Sequence, residues 1–111
     1  MAKIKKDQLL GKLDLLVLRI LATGENLHGY AIAERIERLS ESVFQVGEGS
    51  LYPALHRMDE AGWIRSEWAP SDHNRRARYY RITAAGRRQL AEEKGEWRRA
   101  ADAMTRVLKL A

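Results

Sequence analysis

The stretch Gly49-Ser50-Leu51-Tyr52-Pro53-Ala54-Leu55-His56-Arg57-Met58-Asp59-Glu60-Ala61-Gly62-Trp63-Ile64-Arg65-Ser66-Glu67-Trp68 changes its hydrophobic period halfway along. Its first half sets Leu51, Leu55 and Met58 at helical spacing, and Gly62 supplies a stop. The helix starts between Glu48 and Ser50, ends at Glu60, and carries Pro53 in its first or second turn, where a missing N–H costs least. The second half alternates from Trp63 to Trp68, as a strand does. Ala69 to Asn74 holds Pro70, Ser71, Asp72 and Asn74, which is turn chemistry. Ala77 to Ile82 alternates again, with Tyr80 and Ile82 on one face and Arg78 read as facing solvent. Helix, strand, turn and strand make a helix followed by a hairpin.

Upstream, Lys12 to Ala22 sets Leu13, Leu16, Val17, Ile20 and Leu21 at helical spacing, and Thr23-Gly24 closes it. Glu25-Asn26 is a turn. A second helix runs from Gly29 to Leu39, with Ile32, Ile36 and Leu39 on one stripe. Val43-Phe44-Gln45-Val46 is short and rich in β-branched and aromatic residues, which predicts a brief strand. Lys3 to Leu10 reads equally as a short extra turn or as an arm. Three short helices, each with one apolar stripe, must pack on one another. The second and third form a helix–turn–helix, and the hairpin is its wing. The fold predicted is mainly α (α+β): a winged helix–turn–helix over residues 1–82 with a two-stranded wing, followed by a long helix over 83–111.

Thr83 suits the N-cap of that last helix, which runs from Ala84 nearly to Ala111, roughly 26 residues or ~40 Å. Leu90, Trp97, Met104 and Ala111 recur every seven residues, with Ala101 and Leu108 between them. A small three-helix core cannot cover so long a stripe, so the pattern predicts a homodimer seam through Leu90, Trp97, Ala101, Met104 and Leu108. Gly95 weakens the helix by ~1 kcal/mol relative to Ala, a cost that a buried seam tolerates.

Charge points to the partner. The 111 residues, which fit one domain, carry a net charge of +5. Six arginines (75, 76, 78, 81, 87 and 88) and no acid lie between Arg75 and Arg88, leaving the remainder near −1. Concentrated charge makes a local field suited to a polyanion. On the third helix, the face opposite Leu51, Leu55 and Met58 shows Ser50, Tyr52, Pro53, His56 and Arg57. Ser50 suits a phosphate at the helix start, Tyr52 a phosphate or a thymine methyl, and His56 or Arg57 a base edge or a phosphate. Arg75 and Arg76 at the wing tip suit a minor groove or flanking phosphates, with Arg78 beside them. Trp63 and Trp68 read as hairpin packing.

Enzymatic chemistry finds no support. There is no Cys, which excludes disulfides, thiolate metal sites and cysteine nucleophiles. His28, His56 and His73 have no metal-ligand spacing, so no metal and no cofactor is expected. Gly47-Glu48-Gly49 lacks the third glycine of a dinucleotide-binding turn, Tyr52 standing in its place. Ser50 lacks the flanks of a nucleophile elbow, and the carboxylates show no pairing. No apolar run reaches the ~20 residues of a membrane span, and Met1 to Lys6 does not read as a secretion signal, so a cytoplasmic protein is expected.

Four segments together resemble the PadR family of bacterial transcriptional regulators: Leu13-Asp14-Leu15-Leu16-Val17-Leu18, His28-Gly29-Tyr30, Gly49 to Met58, and Asn74-Arg75-Arg76-Ala77-Arg78-Tyr79-Tyr80. The resemblance covers about Lys12 to Leu108 and is greatest to short members with a single C-terminal helix. It implies a winged-helix homodimer that binds an inverted repeat in double-stranded DNA and represses. It implies that the helix matching Ser50–Glu60 enters the major groove, while the wing matching Arg75-Arg76 touches backbone or minor groove. Tyr30 matches a family tyrosine that reads equally as a phosphate contact or as packing. Some short members bind flat aromatic compounds between subunits against a tryptophan that Trp97 matches, so an aromatic effector is a further expectation. The competing reading is a protein-interaction module that uses the long helix and has no specific DNA target.

Overall fold

The computed structural model describes residues 12–71 and 75–110; the expectations for Lys3–Leu10, for the Asp72–Asn74 part of the turn and for Ala111 lie outside them. The element order is α1 (Leu13–Leu21), β1 (Leu27–His28), α2 (Gly29–Leu39), α3 (Glu48–Glu60), β2 (Ile64–Pro70), β3 (Arg76–Ile82) and α4 (Ala84–Leu108). The strands form one antiparallel sheet in the order β1-β3-β2. This is the winged helix–turn–helix that the period change predicts, with one strand added to the wing.

The first three helices bury most of the stripe that their spacing sets. Leu13, Val17, Leu18 and Leu21 of α1 meet Ile32 and Ile36 of α2 and Leu51, Leu55 and Met58 of α3, all buried. Ile64, Tyr80 and Ile82 close this core from the sheet. Burying one such aliphatic side chain contributes about 1.5–3 kcal/mol. Leu18, outside the predicted stripe, is buried because α1 is central and covered on more than one side, by α2, α3, the sheet and α4.

Helix ends follow local chemistry. The ring Nδ1 of His28 accepts from the Ala31 amide at 3.1 Å and caps α2. The Thr83 hydroxyl accepts from Gly86 N–H at 3.0 Å, as expected of an N-cap, and also donates to the neighbouring Gly62 carbonyl at 2.6 Å. At the end of α3 the Trp63 and Gly62 amides return to the Met58 and Asp59 carbonyls, and Gly62 takes the left-handed φ of 82° that this closure needs. The same closure ends α2 without glycine: Ser42 and Glu41 donate to Glu37 and Arg38 while Glu41 and Ser42 hold φ of 53° and 65°.

Four expectations are corrected. Val43–Val46 forms no strand: the amides of Val43 and Phe44 go to the Ser40 carbonyl and hydroxyl, and Phe44 and Val46 pack against the core. The additional short strand is instead Leu27–His28, whose partners Tyr80 and Tyr79 lie more than fifty residues away. Leu39 is exposed rather than core, because α2 ends there and the chain turns away. Arg78 is not on the outer face: in an antiparallel ladder alternate residues share a face, so Arg78 lies with Tyr80 and Ile82, opposite Trp68. The wing is also longer than expected at both strands, and α4 ends at Leu108.

The long helix leaves the body quickly. Its start is pinned where Gly86 passes the Trp63 carbonyl so closely that a Cβ would lie 2.0 Å from that oxygen. Arg87 donates to the Ala22 carbonyl at 3.2 Å. Leu90 packs against this chain's own core rather than beginning an uncovered stripe. Beyond it the apolar side chains emerge, with Trp97, Met104 and Leu108 exposed by 47%, 67% and 83%. Among the described residues no helix is long and apolar enough to cross a membrane.

Candidate nucleic-acid interface

The inner face of the wing continues past the core. Ile64 opposite Ile82 and Ser66 opposite Tyr80 meet α3; one and two steps further out, Trp68 stands opposite Arg78 and Pro70 opposite Arg76. The helix α3 diverges from the sheet there, and an open cleft of about 990 Å3 remains. Its lining brings together Tyr30 and Tyr52 with Arg75, Arg76 and Arg78, five of the predicted contact residues, and adds Trp68. Arg75 and Arg76 are exposed and make no ion pair with another described residue.

Packing sets the pose of each aromatic. Tyr30, at the start of α2, is 75% exposed, which favours reach toward a ligand over packing. The hydroxyl end of the Tyr52 ring abuts Gly29, so close that a Cβ there would stand 2.8 Å from its hydroxyl oxygen. Gly29 therefore makes room for Tyr52, a role that sequence reasoning missed; the nearby pair of a glycine and a tyrosine on different helices signals it only once both are placed. Trp68 is exposed at the cleft rather than packed as expected, while Trp63 packs on the core. The His28 ring stands 5.4 Å from Tyr79 and 6.4 Å from Tyr30 and stiffens the cleft floor.

The arginines divide into two classes. Arg78 Nε donates to the Ser66 hydroxyl at 2.8 Å, Ser66 donates to Asp59 at 3.0 Å, and the Arg78 guanidinium reaches the same carboxylate at 3.4 Å. This network ties the wing to α3 and leaves Arg78 half-exposed in the cleft. Arg57 is turned the other way, donating to Asp14 Oδ1 at 2.8 Å on α1. The structure thus separates Arg57 from the cleft that holds the other candidates. Pro53 and His56 lie exposed on the outward face of α3, His56 paired with Glu60 at 3.0 Å. Ser50 is half-buried near the helix start, where Gly47 supplies no side-chain cap and the Ser50 amide donates to the Gly47 carbonyl at 3.1 Å.

Burial disturbs two acids, Asp14 beside Arg57 and Glu93 on α4. Burial pushes the Asp14 carboxyl above its ordinary value, with Arg57 partly opposing. Burial and the Asp14 charge push Glu93 up as well, and Glu93 Oε2 is buried without a hydrogen-bond partner. No three His, Cys, Asp or Glu side chains converge as a metal site among the described residues.

The chain that carries this helix and its basic, aromatic-lined wing is similar to known regulators over most of its length. The profile of the transcriptional regulator PadR-like family matches residues 17–92. Transcriptional regulator Rv3488 of Mycobacterium tuberculosis (strain ATCC 25618 / H37Rv) is 38% identical over 73 residues, covering 66% of this chain and 64% of that protein. The crystal structure of a PadR family transcription regulator from Clostridium difficile R20291 superposes with a TM-score of 0.73 at 33% identity, over 86% of this chain and 97% of the other. That of a PadR-like transcriptional regulator from Bacillus cereus ATCC 14579 gives a TM-score of 0.79 at 28% identity, over 95% and 99%. These relatives are regulators of transcription, not enzymes, and the chain belongs to the PadR-like family of transcriptional regulators.

Proposed function

We propose that this chain is a sequence-specific double-stranded DNA-binding regulator that acts as a homodimer on an inverted repeat. The cleft carries this reading: Tyr30, Tyr52, Trp68, Arg75, Arg76 and Arg78 line one concave surface between α3 and the wing. In this reading α3 enters the major groove, the phosphate backbone runs along the cleft, and Arg75 and Arg76 reach the neighbouring minor groove or its phosphates. Ser50, Tyr52, Pro53 and His56 form the surface that meets base edges and the nearest phosphates. Residues 1–82 bind DNA and residues 83–111 pair the subunits through Trp97, Ala101, Met104 and Leu108, whose exposed apolar stripe supports a partner helix. Repression is the family's usual outcome, and an aromatic effector stacking on Trp97 in the seam would release the operator.

Selecting bound sequences from a random duplex pool tests binding, symmetry and half-site spacing at once. An enriched inverted repeat is the expected result; no enrichment together with salt-insensitive retention leaves the protein-interaction reading. The effector arm is tested by titrating planar aromatic compounds against wild type and Trp97→Ala while following tryptophan fluorescence. Equal quenching of both proteins removes Trp97 from the account.

A further inference from the structure

The reading helix has lost its own cation to the rest of the protein. Arg57 is the one arginine or lysine within α3. Both terminal nitrogens of its guanidinium face the same Asp14 oxygen, at 2.8 Å and 3.5 Å, across 43 residues of sequence. The Asp14 side chain is 18% exposed and the Arg57 side chain 52%, so the acid is the buried anchor and the guanidinium the part within reach of solvent. Among the described residues Asp14 is the one carboxylate that pairs with this guanidinium. On the opposite flank of α3, Asp59 similarly engages Arg78. The outward face between these flanks is left with Gly49, Tyr52, Pro53 and His56, and Glu48 and Glu60 stand at its two ends. Such a face gains little from phosphate attraction alone.

A free arginine on that helix would act differently. Phosphates are the same at every sequence, so a guanidinium that reaches them raises affinity for all DNA alike. Resting on the DNA-binding reading above, we propose that Asp14 is a specificity-determining residue that holds Arg57 against α1 and keeps it off the DNA backbone. Discrimination between sequences then falls to the hydrogen-bonding and apolar groups of α3, and the general attraction falls to the wing arginines.

The test compares full-length wild type with Asp14→Asn for binding to the selected operator and to random duplex, across salt. One added phosphate contact steepens the log–log salt slope by about 0.9, so the affinity lost between 50 and 200 mM salt grows by about three- to fourfold. The expected result is that steeper slope on both DNAs, tighter random-duplex binding at low salt and a smaller operator-to-random ratio. Adding Arg57→Gln to Asp14→Asn returns the slope to the wild-type value. A charge-matched control, Glu92→Gln at an exposed position, stays near the wild-type slope. Should Asp14→Asn fold poorly, Asp14→Ser carries the same readout. An unchanged slope in a folded variant, or a steeper slope that survives Arg57→Gln, overturns the proposal while leaving DNA binding intact. Wild type that shows no salt-dependent binding overturns both readings.

Discussion

Gly29 is where a single missing methyl sets up the interface. The nearest atoms that a Cβ there would meet are at the far end of the Tyr52 ring, which can swing away. Ala is also a better helix former than Gly. Gly29→Ala is therefore expected to leave thermal stability nearly unchanged and to weaken operator binding by about 1 kcal/mol, roughly fivefold, by displacing Tyr52. Circular-dichroism melting and fluorescence-anisotropy titration check the two halves. Asp14 and Glu93 make a second prediction. Both titrate above their ordinary values because burial disfavours the charged forms. As pH falls from neutral toward the carboxylate range, the native state takes up these protons before the unfolded chain does, so the two groups add stability on acidification. Glu25 runs the other way, since its bonds to Arg35 lower its pKa and its contribution is lost as pH falls. Glu93→Gln is expected to stabilise the protein at pH 7 by about 0.5–1 kcal/mol and to flatten the acid limb, measured by urea unfolding at several pH values. None of this was legible in the sequence. Asp14 reads as an ordinary first-turn acid of α1, and Arg57 as a cation facing outward, until α1 and α3 are laid side by side.

The junction of wing and long helix is an element-level constraint. Thr83 and Gly86 lock the first turn of α4 onto the Gly62–Trp63 backbone. Backbone cannot retreat as a side-chain tip does, so Gly86→Ala is expected to cost about 1–3 kcal/mol, read as a lower urea midpoint with an unchanged slope. Local chemistry made most elements readable here: the Leu51, Leu55 and Met58 spacing, the Gly62 stop and the Thr83 cap all operate within a few residues. Elements defined by a distant partner were not readable. Leu27–His28 is a strand only because Tyr79 and Tyr80 lie beside it, and Val43–Val46 gets no further than a single bridge residue at Phe44 because Ser40 takes the amides of Val43 and Phe44.

The whole molecule is elongated, with extents of 58 × 31 × 21 Å, and its far end is an uncovered apolar helix. A charge at the centre of that stripe would have to be buried on pairing, which is costly without a partner. Met104→Arg is expected to give single chains in sedimentation while each chain stays folded. Operator affinity should then fall by about 100-fold or more, because two half-sites are no longer held together. Wild-type chains that sediment singly at working concentration would remove the seam from the account.

Sequence alone determined what rests on short-range periodicity, capping and composition: three packed helices, a wing, a long last helix, an arginine-rich edge and the family resemblance. Tertiary structure alone decided which charges are free. Arg57, Arg78 and Arg87 are drawn by Asp14, Asp59 and the Ala22 carbonyl, while Arg75 and Arg76 stay open at the cleft. The reason is physical: a hydrophobic period is a property of neighbours along the chain, but a guanidinium settles on whichever acceptor the folded chain brings within about 3 Å, and that acceptor can come from any part of the sequence.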